Sequence, residues 1–135
     1  MLPRQPSEWG VVMDEMSVER LSEFGEAWNK NDPDLVASYF TEDGAFYSSA
    51  GPAPLGREYH GREGIRQAVR DFSTRYPGGQ FTNLNVVVAG DRGVLEWEIV
   101  VPDGAGGETR TVGCDLLHFR GDLVHRKSAF QKRYN

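Results

Sequence analysis

From residue 17 onward, apolar residues recur at helical spacing. Val18, Leu21, Phe24 and Trp28 fall near one face of "SVERLSEFGEAWNKND". Ser17 stands where an N-cap is needed, because its hydroxyl can accept from a free N–H of the first turn. Gly25 is a poor helix former, so its place in this helix implies a close packing partner. "NDPDLVASYF" predicts a second, shorter helix, capped by Asp32, with Pro33 in its first turn and Leu35, Tyr39 and Phe40 on its apolar side. "TEDG" is expected to end it. "AFYSS" then reads as a short strand, and "AGPAPLGREYHG" as a loop. A third helix is predicted from about Arg62 to Tyr76, with Ile65, Val69 and Phe72 on one face and "PGG" as its stop.

The period then changes to two. "FTNLNVVVAG", "GVLEWEIVV", "TRTVGCDLLHF" and "LVHRKSAFQK" read as four strands separated by "AGDRG", "PDGAGGE" and "RGD" turns. The alternation is clearest in the second of them, where Leu95, Trp97 and Ile99 share one face and Glu96 and Glu98 the other. Helices followed by an antiparallel meander make an α+β domain, in which the helices cover one face of the sheet. Residues 1–16 are expected to form an N-terminal arm, and residues 17–135 a single domain.

Composition narrows the function classes. A chain of 135 residues with 39% hydrophobic and 26% charged residues has enough apolar content for one core and is not a disordered polymer. A net charge of −5 argues against a nucleic-acid partner. The single cysteine, Cys114, rules out an internal disulfide framework and fits a reducing compartment. No apolar run approaches membrane-spanning length, so no membrane partner is expected and the expected location is the cytoplasm. There is no phosphate-cradling glycine loop and no nucleophile elbow. His118 and His125 supply two nitrogens but no third ligand at suitable spacing, so no metal is expected. The "RGD" at 120–122 reads as turn chemistry. Asp71 and Arg75 read as an ordinary i,i+4 helix pair.

The last hairpin holds the most suggestive chemistry. A two-residue turn at Gly121–Asp122 pairs Arg120 with Leu123, His118 with His125, Leu117 with Arg126 and Asp115 with Ser128. Asp115, Leu117, Phe119, Val124, Arg126, Ser128 and Phe130 then share one face. That face is mostly apolar with a few convergent polar groups, the usual make-up of a small-molecule pocket. A carboxyl there is costly to ionise and tends to stay protonated. Two readings stay open for Asp115: a structural hydrogen bond to Ser128 across the strands, or a buried acid that does chemistry. Phe24, Trp28, Phe46, Trp97 and Phe130 are candidates to line such a pocket, or ordinary core aromatics.

Three stretches, "EAWNKNDPDLVASYFTEDGAF", "YHGREGIRQAV" and "GCDLLHFRGDLVHRKSAF", give residues 17–132 a resemblance to the nuclear transport factor 2-like superfamily, in its SnoaL-like polyketide cyclase and ketosteroid isomerase branch. The resemblance implies a conical roll of the cystatin-like type, with three N-terminal helices packed in a curved, mainly antiparallel sheet around an apolar pocket. It implies a homodimer through the outer sheet face, and a small apolar molecule in the pocket.

It also implies site roles. Asp115 falls where ketosteroid isomerases carry the acid that donates a hydrogen bond to the oxyanion. The family's catalytic base aligns with Ser48 and its oxyanion tyrosine with Phe24, so both of those functional groups are missing. SnoaL-like cyclases need only an acid–base residue near the same strand. Dehydratase-like relatives use a His–Asp pair, for which His60 is the nearest candidate. Epoxide-hydrolysing relatives use an Asp–Arg–Asp set, of which Asp115 and Arg126 supply part. The expected function is cofactor-independent acid–base catalysis (cyclase, isomerase or dehydratase type) on an apolar carbonyl compound. Asp115 is the catalytic candidate, and Phe24, Trp28, Phe46, Ser48, His60, Trp97, Arg126, Ser128 and Phe130 are the ligand-binding candidates. The alternative is a non-catalytic ligand-binding or dimerisation module of the same fold.

Overall fold

A computed structural model describes residues 14–133. Most of the expected N-terminal arm lies outside the described residues; at its end, Met16 is 5% exposed and joins the core. Helix α1 (Val18–Ala27) starts where the pattern places it, with the Arg20 N–H donating to Ser17 Oγ at 3.0 Å. A short 3-10 turn, Trp28–Lys30, and Asn31 in the left-handed region (φ 51°) lead into helix α2 (Pro33–Ser38). Asp32 caps α2 by accepting from the Leu35 N–H at 3.2 Å.

Strand β1 (Phe40–Tyr47) begins earlier than expected and takes in the whole of "TEDG". The cause is tertiary. β1 pairs in parallel with the last strand, Phe40 opposite Val124, and the Phe40 carbonyl accepts from the Arg62 guanidinium at 2.9 and 3.1 Å. A three-residue strand, β2 (Glu58–His60), forms inside the expected loop by pairing with β1. Helix α3 (Gly61–Arg75) follows, then β3 (Gln80–Ala89), β4 (Arg92–Pro102), β5 (Glu108–Arg120) and β6 (Leu123–Gln131).

Among the described residues, six strands form one mixed sheet in the order β2-β1-β6-β5-β4-β3, with only the β1–β6 pair parallel. α1 packs on β3 and β4, and α3 on β1 and β2. The core between helices and sheet includes Leu21, Phe24, Val36, Phe40, Ile65, Val69, Leu95, Ile99 and Leu117. Gly25 is required by the approach of α1 to the sheet, since a Cβ there would collide with the Asn83 side chain and press on Leu95. Gly113 lies opposite Trp97, whose ring occupies the space a Cβ would take.

The closing hairpin departs from the expected register. The turn is as read, Arg120 opposite Leu123, with Gly121 at φ 62°. Phe119 then faces Val124, but His118 faces Arg126, not His125. His125 is an extra residue, a β-bulge. It is held by Thr41 Oγ1 at 3.0 Å and Arg120 Nη2 at 3.2 Å, while the neighbouring Val124 N–H donates to the Tyr39 carbonyl. Side chains alternate with period two, so one extra residue exchanges the faces of everything after it. Lys127 and Ala129 therefore point inward, at 7% and 9% exposed. Ser128 lies opposite Leu116 rather than Asp115, and Phe130 is 52% exposed on the outer face. Arg126, Ser128 and Phe130 were expected on the inner face; the bulge removes all three from it. His118 and His125 do not face each other, and among the described residues no group of three or more His, Cys, Asp or Glu could hold a metal.

Candidate functional site

A cavity of about 410 Å³ opens between α3 and the inner face of the sheet. Its walls are aromatic: Trp28, Phe46, Tyr59, Phe72, Phe81 and Trp97. They interlock edge to face, as in Trp28–Phe46 at 5.7 Å between centroids, or stack, as in Phe46–Tyr59 at 5.7 Å and Phe72–Phe81 at 4.9 Å. Such contacts each add about 0.5–1.5 kcal/mol beyond burial, and they hold the walls in place without filling the centre.

Asp115 and Lys127 lie on adjacent strands of this surface. Asp115 is 2% exposed. Its Oδ1 accepts from the Trp97 indole N–H at 3.1 Å and lies 3.4 Å from Lys127 Nζ. Lys127 Nζ also sits 3.9 Å from the Phe46 ring centroid and 4.7 Å from that of Trp28. Burial pushes the Asp115 carboxyl above the usual carboxylate range, against the pull of Lys127 and of the Trp97 hydrogen bond. Burial also draws the Lys127 amine below its ordinary value, against Asp115. Each group thus resists its charged form, and the two are close enough to trade a proton.

A second polar group lies on the same wall. The Tyr59 hydroxyl donates to Asp71 Oδ2 at 2.8 Å, and Gln67 Nε2 donates to Asp71 Oδ1 at 2.8 Å. Burial, then the hydrogen bond to Asp71, push the Tyr59 phenol up to about 12. The Gln67 and Tyr59 donors hold the Asp71 carboxyl below its ordinary value. Asp71 is thus engaged by Gln67 and Tyr59 and forms no ion pair with Arg75, whose guanidinium lies over the Tyr76 ring. Trp28 Nε1 is buried without an acceptor among the described residues, which costs about 1–3 kcal/mol.

Of the residues picked out in the sequence, Asp115, Trp28, Phe46, Ser48 and Trp97 line the cavity. Phe24 does not; it is fully buried one layer deeper, against Trp28, Tyr39 and Phe40. His60 is also outside it, exposed at the start of α3 with Nε2 3.0 Å from Glu58. Arg126 lies with its guanidinium 4.4 Å from the Tyr47 ring centroid, away from the cavity. Sequence reasoning missed Lys127 and the Tyr59–Asp71 pair. Tyr59 falls in a segment that reads as loop and becomes strand only by pairing with β1. Lys127 left no usable signal, because an aspartate on an apolar strand calls for a counter-charge and the regular register already offers Arg126 on that face.

Residues 19–126 match the SnoaL-like domain family. The chain belongs to that family. No curated protein matches it. Among solved structures, a Catenulispora acidiphila protein with a ketosteroid isomerase-like fold, crystallised with trimethylamine, is 21% identical, over 83% of this chain and 84% of that one, with a TM-score of 0.72. A Mesorhizobium loti NTF2-like protein of unknown function is 21% identical over 98% of both chains, with a TM-score of 0.69. A protein from Acidithiobacillus ferrooxidans, proposed to be a polyketide cyclase, is 18% identical over 85% of this chain and 87% of that one, with a TM-score of 0.72. These likenesses establish the fold: a SnoaL-like domain with, among the described residues, three α-helices and a six-stranded mixed sheet. Among the described residues, no helix is long and apolar enough to cross a membrane.

Proposed function

We propose that this SnoaL-like domain is a cofactor-independent acid–base enzyme acting on a small, apolar carbonyl compound, by isomerisation, cyclisation or dehydration. The observation that carries the reading is the Asp115–Lys127 pair, buried yet opening onto an aromatic cavity of about 410 Å³. With one proton between them, Asp115 as the acid donates to the carbonyl oxygen through Oδ2. Lys127 as the free amine takes the proton from the adjacent carbon. The products are an enol, a carboxylate and an ammonium, so charge develops only between two groups already 3.4 Å apart. Return of the proton to another carbon, attack of the enol carbon on a second carbonyl, or loss of a hydroxyl gives the three reaction types. Lys127 thus supplies the base that Ser48, at the family's base position, does not.

The test is hydrogen–deuterium exchange of the α-protons of 2-tetralone, followed by NMR in D2O. The protein should accelerate exchange. Asp115→Asn should lose about 10²–10⁴-fold of that acceleration, the usual range for a general acid or base. No acceleration by the native protein, or full activity in Asp115→Asn, sinks the reading. A second reading, binding without chemistry, is favoured by one observation: the family's base and tyrosine positions hold Ser48 and Phe24. It predicts saturable binding of 2-tetralone with no exchange.

The partner we propose is a second copy of the chain, docked on the outer sheet face. There Val87, Val94 and Leu116 are aligned across three neighbouring strands, and Phe130 projects beside them from the fourth. Leu116 and Phe130 are 47% and 52% exposed. Sedimentation at micromolar concentration should give a dimer, and Leu116→Glu should give a folded monomer. A monomeric native protein would rule this out.

A further inference from the structure

We propose that Lys127 is also a nucleophile, forming an imine with the carbonyl carbon of an aldehyde or ketone bound in the cavity. The inference rests on the acid–base reading but assigns a covalent step to the same site. Three features of the structure carry it. Lys127 is 7% exposed, yet its side chain forms part of the cavity wall. Its ammonium position is bounded by the faces of Trp28 and Phe46 and by a single carboxylate oxygen, so an incoming carbonyl meets no other nucleophile there. A desolvated lysine in an apolar pocket is the usual setting for an amine that attacks carbonyls. Lastly, Trp97 fixes the Asp115 carboxyl through Oδ1, and this carboxyl lines the same cavity 3.4 Å from the amine, in place to carry protons.

The step balances without an added oxidant or reductant. The Lys127 lone pair forms the C–N bond, and the carbonyl π pair moves to oxygen, which takes the Asp115 proton. The nitrogen returns one proton to Asp115, giving a carbinolamine. Asp115 then protonates the hydroxyl, which leaves as water while the nitrogen lone pair closes the C=N bond. A protonated imine acidifies the neighbouring C–H, so the regenerated Asp115 carboxylate becomes the group that takes that proton.

Reductive trapping tests this. The folded protein is incubated with 2-naphthaldehyde and cyanoborohydride at neutral pH, and the adducts are mapped by peptide mass spectrometry. The chain has three lysines, and Lys30 and Lys132 are exposed, so they serve as internal references. Lys127 should be modified at least about tenfold faster than either, and 2-methylnaphthalene, which has no carbonyl, should slow its modification alone. Lys127→Arg, with a circular dichroism spectrum matching the native protein, should abolish the adduct at position 127 and leave those at Lys30 and Lys132. Equal labelling of all three lysines, or Lys127 labelling that the competitor does not slow, overturns the inference. If trapping at Lys127 fails while α-proton exchange persists, Lys127 acts as a base only and the acid–base reading stands. If both fail, both readings fall.

Discussion

Replacing Lys127 with methionine should cost about 3–5 kcal/mol of stability at pH 8, the usual cost of leaving one partner of a buried ion pair uncompensated. Asp115 would keep the Trp97 hydrogen bond but lose the cation 3.4 Å away. The loss should depend on pH in a definite direction. Burial raises the folded-state value of the Asp115 carboxyl above its ordinary 3.8. The protonated form is then the one the fold tolerates. The contribution of Asp115 is fully present below the unfolded value and is lost as pH rises through the folded one. Removing Lys127 removes the main influence that opposes this shift, so the deficit of Lys127→Met should be smaller at pH 4 than at pH 8. The double variant Asp115→Leu/Lys127→Met should recover native stability or exceed it by about 1–4 kcal/mol, because a packed apolar pair carries no desolvation cost. Urea unfolding of the three proteins at both pH values checks all of this. A Lys127→Met variant as stable as the native protein at pH 8 would show that the pair is not buried as described. A double variant that gains stability while losing α-proton exchange is the pattern expected of groups kept for chemistry.

Deleting Ser128 should do far more damage than deleting His125, the extra residue itself. His125→Ala loses hydrogen bonds to Thr41 and Arg120 at a partly exposed site, worth about 1–2 kcal/mol. Deleting His125 loses the same bonds but joins Val124 to Arg126, so Arg126 still faces His118, Lys127 still faces Leu117 and Ala129 still faces Asp115, now in a regular hairpin. Deleting Ser128 shifts the strand after the bulge. If the bulge stays, Phe130 turns inward opposite Asp115; if the bulge is absorbed, Arg126 replaces Lys127 opposite Leu117. An overpacked ring or a buried guanidinium, with the Asp115–Lys127 pair disturbed, should exceed about 4 kcal/mol, the range reserved for severe lesions and comparable to the whole stability of a small domain. Thermal unfolding monitored by circular dichroism should show a lowered but cooperative transition for both His125 variants and no cooperative transition for the Ser128 deletion. If the Ser128 deletion melts cooperatively near the native temperature, the inward placement of Lys127 and Ala129 does not depend on the register of β6.

The limits of reading the sequence follow from the same bulge. Helices were legible because each carries its own signals. Ser17 and Asp32 cap α1 and α2 as expected, and the turn at Gly121–Asp122 forms between the residues that flank it. Asp115 was legible as a pocket residue because β5 alternates without interruption through it. What failed depended on partners far along the chain. "TEDG" looks like a turn and becomes strand through pairing with β6. His125 becomes an extra residue because Thr41 and the Tyr39 carbonyl, more than eighty positions away, hold this part of β6. A local pattern contains no trace of either. The cost of missing one bulge was Lys127, whose place on the inner face went in the reading to Arg126 and Ser128.

The parallel β1–β6 contact also bears on how the molecule assembles. It joins Phe40 to Val124, so β1 has no inner neighbour until the closing hairpin exists. Closing so long a loop is entropically slow. The β3–β6 meander, built from neighbouring hairpins, can form first, while α1 and α2 wait with their apolar sides unpaired. During synthesis, the cavity cannot exist until β6 has left the ribosome, because Asp115 and Lys127 come from the last two strands. Until then the chain exposes Phe40, Phe46 and Trp28 together, and that interval is when a chaperone would find it.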